Sequence, residues 1–133
     1  MDTNFSKTFL HGHSFSANPV ACAAALSSLN LFNEDKTFTK IEEISKIHND
    51  CLKKISKLQN ISKIRKLGTI AAFDFKNISD SYGSLESLEM RKKFLENGLL
   101  LRPLGNTVYF MPPYCIKKEN LINSYEKLIE ILQ

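Results

Sequence analysis

Between Phe38 and Leu58 the apolar residues recur every three or four positions: Phe38, Ile41, Ile44, Ile47, Cys51, Leu52, Ile55 and Leu58. Only an α-helix gathers such a set onto one stripe. A helix of that length with one apolar side must lay it against another layer, so the rest of the chain has to supply one. The pattern breaks at Gln59-Asn60. Ile61, Ile64 and Leu67 alternate loosely, Gly68 interrupts, and Thr69 to Phe75 is short, apolar and bounded. These read as two strands, roughly 62–67 and 69–76, with a turn or bulge near Gly68.

Asp80 to Gly83 reads as a loop and Ser84 to Asn97 as a helix closed by Gly98. Leu99-Leu100-Leu101 has the look of a buried strand stopped by Arg102-Pro103. Gly105-Asn106 would turn it back into Val108–Met111, the other half of a hairpin ended by Pro112-Pro113. Leu121, Ile122, Tyr125, Leu128, Ile129 and Leu132 mark a last amphipathic helix. Near the start, Asn18 and Pro19 suit an N-cap and a first helical position. That first helix should run to about Phe32 and close at Asn33-Glu34-Asp35. The order α-α-β-β-α-β-β-α implies an α+β fold: a short, mostly antiparallel sheet with helices on one face. The first helix differs in composition and belongs to another layer, so the expected division is residues 1–35 and 36–133.

The 133 residues suit about one domain, with 43% hydrophobic and 24% charged residues as in an ordinary globular chain. The net charge of +4 is mild, and its lysines are interleaved with Glu42, Glu43 and Asp50, as on a solvated helix face. No aromatic stripe accompanies them, so nucleic acid is not an expected partner. Cys22, Cys51 and Cys115 form no CxxC pair, which fits neither a zinc site nor a disulfide framework and suits a reducing, cytoplasmic setting. No apolar run is long enough to span a bilayer or to serve as a signal peptide.

Two places carry candidate chemistry. Arg102 leaves three leucines with a fixed charge and a planar fork, suited to gripping a carboxylate twice or to a structural salt bridge at a strand end. The stretch His11-Gly12-His13-Ser14 lacks further ligands for a metal site. Gly12 permits close backbone approach and Ser14 or Ser16 offers a hydroxyl, which suits a phosphate; a plain glycine turn before an N-capped helix fits equally well. No GxSxG elbow is present.

HGHSFSANPVACAAALSSLNLF, IRKLGTIAAFDF and GLLLRPLGNTVYFMPPYCI together resemble the class III, pyridoxal-phosphate-dependent aminotransferases, from about Phe9 to the C-terminus. The last segment is similar to the biotin-pathway branch, whose members transfer the amino group of S-adenosylmethionine to 8-amino-7-oxononanoate. The resemblance implies the C-terminal part of such an enzyme: a remnant of the large cofactor-binding domain in 1–35 and the small domain in 36–133. It implies a homodimer, with the turn reaching the cofactor of the neighbouring subunit. Ser14 matches the family's phosphate-binding threonine, with the hydroxyl kept, and His13 its neighbour in that contact. Gly12 matches a residue lining the substrate pocket, Arg102 the arginine holding the 8-amino-7-oxononanoate carboxylate, and Tyr109 a tyrosine near that pocket. The family's Schiff-base lysine lies upstream of the turn; Lys7 is too close to match it, so no catalytic residue is assigned and the chain alone is expected to be inert. Alternatives are another class III enzyme of the ω-amino-acid or ornithine type, or a non-catalytic α+β interaction module; the MPPY segment favours the biotin branch.

Overall fold

The structure, a computed structural model, describes residues 11–133. The chain divides into two compact units between Lys36 and Thr37. In the first, helix α1 (Pro19–Glu34) begins on Asn18, whose side-chain oxygen accepts the N–H groups of Val20 and Ala21 at 3.0 and 3.2 Å. Two otherwise orphaned donors are thereby satisfied, and Pro19 sits where its missing N–H costs nothing. None of the α1 residues is buried.

The second unit is built around a three-stranded antiparallel sheet in the order β1 (Ile61–Leu67), β2 (Ile70–Phe75), β3 (Thr107–Phe110). Helix α2 (Thr37–Ile55) buries Ile44, Cys51, Leu52 and Ile55, half of the stripe seen in the sequence, together with His48. Helices α3 (Leu85–Glu96) and α4 (Lys118–Leu132) add Phe94 and Leu121, Tyr125 and Leu128. These meet Ala71, Phe73, Phe75, Val108 and Phe110, the residues that alternate onto one face of β2 and β3. Full burial of each such large side chain contributes roughly 1.5–3 kcal/mol. The expected α+β class, with an antiparallel sheet and helices on one face, is the fold observed.

One sequence expectation needs correction. Leu99–Leu101 is buried at Leu99 and Leu101 but forms no strand. The Leu99 N–H is spent on the Phe94 carbonyl (2.8 Å) and the Gly98 N–H on Leu95 (2.9 Å), closing α3 with Gly98 at φ 74°. That cap draws Leu99 into the core instead of along a strand, and β3 stands at the sheet edge with β2 as its strand partner. What remains of the hairpin is one bridge, Leu104 with Thr107, around Gly105-Asn106. The turn expected near Gly68 is present, with Gly68 at φ 55° between the paired ends Leu67 and Ile70. A separate bulge, which the sequence did not signal, lies between Ser62 and Arg65, and Lys63 takes φ 45° there.

The core also holds a polar pair. His48 is fully buried, its Nδ1 2.6 Å from the Tyr125 hydroxyl and its Nε2 2.9 Å from the Thr69 carbonyl. A carbonyl only accepts, so Nε2 carries the proton and Tyr125 donates to Nδ1. Burial pulls the His48 pKa down, the Thr69 bond opposes this, and Lys66 adds a smaller downward push. Burial also drives the Tyr125 hydroxyl far above its ordinary range. The neutral pair ties α2 to α4 and to the β1–β2 turn.

Candidate functional site

The polar turn in the first unit is organised by its own side chains. His13 N–H donates to Ser16 Oγ (3.0 Å), Ser16 N–H returns to the His13 carbonyl (2.8 Å), and Phe15 N–H donates to His13 Nδ1 (3.2 Å). The His13 ring is thus occupied in shaping the turn. Ala17 follows at φ 59°, a left-handed conformation costing on the order of 1 kcal/mol for a residue with a Cβ. Among the described residues the Ser14 N–H and hydroxyl have no hydrogen-bond partner, and nothing lies within 4 Å of where a Gly12 Cβ would stand. One backbone donor and one hydroxyl on an exposed turn suit a phosphate. Lys7 lies outside the described residues, as does Phe9 where the family resemblance begins.

In the second unit Arg102 is exposed, and its Nη2 donates to the Tyr82 hydroxyl while its guanidinium carbon lies 6.0 Å from the Tyr82 ring centre. No carboxylate pairs with it among the described residues. That removes the structural salt bridge within them and leaves the rest of the fork available. Tyr82 is held there by a backbone fit. Gly105, at φ 57°, packs so closely on Asp80 that a Cβ would enter the Asp80 carbonyl. Only glycine satisfies both the dihedral and the approach.

Tyr109, half-buried, lies opposite Ala72 on β2, on the sheet face away from the core. That face carries a charged cluster two residues along. Asp74 accepts from Arg65 Nη1 (2.8 Å) and Thr107 Oγ1 (2.7 Å), with Lys63 Nζ at 3.6 Å. The bulge directs Lys63 and Arg65 to it: Arg65 Nη1 also reaches the Lys63 carbonyl at 2.6 Å. Burial pushes the Asp74 carboxyl up, but the Thr107 hydroxyl, Arg65 and Lys63 together hold it below its ordinary value of 3.8.

Gly12, His13 and Ser14 thus share one turn, whereas Arg102 and Tyr109 flank the Leu104–Thr107 bridge in the other unit with no hydrogen bond between them. Sequence reasoning missed Tyr82 and the Arg65–Asp74–Thr107 cluster. The one available signal for Tyr82 was a lone aromatic between Ser81 and Gly83 in a polar loop. For the cluster there was none, because the bulge that assembles it leaves no mark in the alternation. Among the described residues no three His, Cys, Asp or Glu side chains gather to hold a metal ion. No helix among them is long and apolar enough to cross a membrane.

The sequence pattern of the class-III aminotransferases matches residues 2–132. The chain is 37% identical over 131 residues to the adenosylmethionine-8-amino-7-oxononanoate aminotransferase of Synechococcus elongatus, covering 97% of this chain and 30% of that one. It is 39% identical to the enzyme of the same name from Helicobacter pylori, covering 96% and 29%. Among solved structures, acetylornithine aminotransferase from Elizabethkingia anophelis superposes with a TM-score of 0.79 at 28% identity, over 95% of this chain and 33% of that one. Adenosylmethionine-8-amino-7-oxononanoate aminotransferase from Methanocaldococcus jannaschii gives 0.79 at 26%, over 96% and 30%. The chain spans about 30% of the length of the curated relatives it matches.

Proposed function

The chain belongs to the class-III aminotransferase family, and from that premise we propose that it supplies the C-terminal part of a pyridoxal-phosphate-dependent enzyme of biotin biosynthesis. In that reading the complete enzyme transfers the amino group of S-adenosylmethionine to 8-amino-7-oxononanoate, giving 7,8-diaminononanoate. Residues 1–35 belong to the large domain and 36–133 form the small one. The observation that carries the reading is Arg102. It is an exposed fork with no carboxylate partner among the described residues, and it stands in GLLLRPLGNTVYFMPPYCI, the segment that resembles the biotin-pathway branch.

The residues of the turn fit one edge of the cofactor. Ser14 offers its N–H and hydroxyl to the phosphate, and Gly12 leaves room for substrate beside it. The His13 ring keeps the turn in shape and contributes its place in the backbone, not its imidazole. When bound, pyridoxal phosphate supplies the electron sink for amino transfer. Arg102 holds the carboxylate of 8-amino-7-oxononanoate through a bidentate, charge-assisted contact, and Tyr109 borders the chain of that substrate. Helix α1 packs against a second copy of the enzyme in a homodimer, which accounts for an apolar helix with none of its residues buried. No lysine near the turn matches the Schiff-base position, so the chain alone is inert.

The test is the affinity of the complete, cofactor-loaded enzyme for 8-amino-7-oxononanoate in wild type and Arg102→Ala. Loss of one partner of a charge pair costs about 2–5 kcal/mol, so the expected weakening is thirtyfold or more on that scale. Equal affinity would sink the reading. For the chain alone, a visible cofactor band that borohydride fixes onto a lysine would contradict its inertness.

A further inference from the structure

The loop between β2 and α3 has no part in the reading above, yet it holds the group that touches Arg102. An arginine that is to catch a carboxylate in two places must present its fork in one orientation. A free side chain at this exposed position would have to lose its rotamer freedom at the moment of binding. Here that freedom is already restricted. The Tyr82 hydroxyl accepts from Nη2, and the Tyr82 ring lies beside the guanidinium at 6.0 Å. The tyrosine is placed in turn by the seating of Asp80 on Gly105, three residues beyond Arg102 and at the start of the Leu104–Thr107 bridge. Both ends of the contact therefore rest on one piece of backbone.

We propose that Tyr82 is a positioning residue for substrate recognition. Its hydroxyl holds Arg102 with the remaining N–H groups of the fork available, so that a carboxylate meets a preset guanidinium. The inference rests on the assignment of Arg102 as the carboxylate grip and adds the residue that sets it. Tyr82 itself does not touch the carboxylate. It is 70% exposed and carries none of the core, so Tyr82→Phe removes the acceptor oxygen while keeping the ring and the fold.

The experiment compares 8-amino-7-oxononanoate with its methyl ester as amino acceptors for the complete, cofactor-loaded enzyme. The quantity read is the ratio of kcat/KM for acid over ester. Arg102→Ala should collapse that ratio, on the order of a hundredfold. Tyr82→Phe should lower it by about fivefold, the worth of one ordinary hydrogen bond. The loss should fall on the KM of the acid, with kcat and the ester's kcat/KM held. Thermal melting of both variants at the wild-type temperature accompanies these values. If Arg102→Ala keeps the wild-type ratio, the carboxylate assignment itself fails. If Arg102→Ala collapses the ratio and Tyr82→Phe matches wild type, Arg102 stands and the positioning role is overturned. A Tyr82→Phe loss shared equally by acid and ester marks a general defect and overturns it as well.

Discussion

Helices α1 and α2 are close in length, 16 and 19 residues, yet one buries nothing and the other buries six side chains. The difference lies in how apolar residues are distributed. In α2 the lysines and glutamates are kept off one stripe, and that stripe fits a sheet within the same chain. In α1 small and apolar residues run almost all round, from Val20 and the alanines to Leu26, Leu29 and Leu31, and Glu34 is its one charge. A helix of that kind is normally enclosed on several sides. Here Leu26 is 63% exposed. Apolarity therefore predicts that a helix will be covered, whereas periodicity predicts whether its own chain can do the covering.

The comparison is broken most forcefully from the α2 side of the molecule. Phe94 is fully buried where α3 meets the core. Phe94→Ala should cost about 3–5 kcal/mol, because transfer energy is lost and a cavity remains. Denaturant unfolding followed by near-UV circular dichroism reads the 37–133 unit. If the midpoint does not move, the core is not where the structure places it.

The next effect concerns His48, which distinguishes a buried stripe from a merely apolar one. Replacing it with Gln leaves Tyr125 and the Thr69 carbonyl imperfectly paired, a loss of about 1–3 kcal/mol. The pH dependence gives a sharper test. The His48 pKa in the folded chain lies below its ordinary 6.5, so below that pH the unfolded chain takes up a proton that the folded chain refuses. Stability from this group is complete above about pH 6.5 and falls as pH drops toward the folded value. His48→Gln should abolish that slope. Asp74 gives a second and separate acid limb. Its folded pKa is held below 3.8, so its contribution is present above that value and is lost only under more acid conditions. A slope near pH 6 that survives in His48→Gln would assign the effect to another group.

How far these features were visible beforehand depends on the range of the interaction that makes them. The helices, the β1–β2 hairpin and Gly98 as the end of α3 follow from local spacing and single-residue dihedral preferences, and all could be read directly. Leu99–Leu101 misled because three leucines look alike whether they enter a core as a strand or as the tail of a helix cap. Backbone hydrogen bonds decide between the two, and they are not written in side-chain pattern. Arg102 stood out as a charge beside a leucine run, but its partner lies 20 residues upstream. The Asp80–Gly105 approach that sets the contact depends on two loops meeting in space. Family resemblance supplied roles for Gly12, Ser14 and Tyr109 that no spacing rule carries.

The smallest expected effect lies in α1. Asn18→Ala removes the acceptor for two N–H groups at the helix start, a loss of about 1 kcal/mol. Because none of the α1 residues is buried, that loss should stay local in the 133-residue chain. Helical signal in the far ultraviolet should fall, and amide exchange of residues 20–22 should speed up. The cooperative transition of the 37–133 unit should keep its midpoint. The core variant has the opposite signature, shifting the transition with little change in α1 exchange. Should Asn18→Ala move the main transition as well, the two units would be unfolding as one. The contrast between a covered and an uncovered helix would then have to be redrawn.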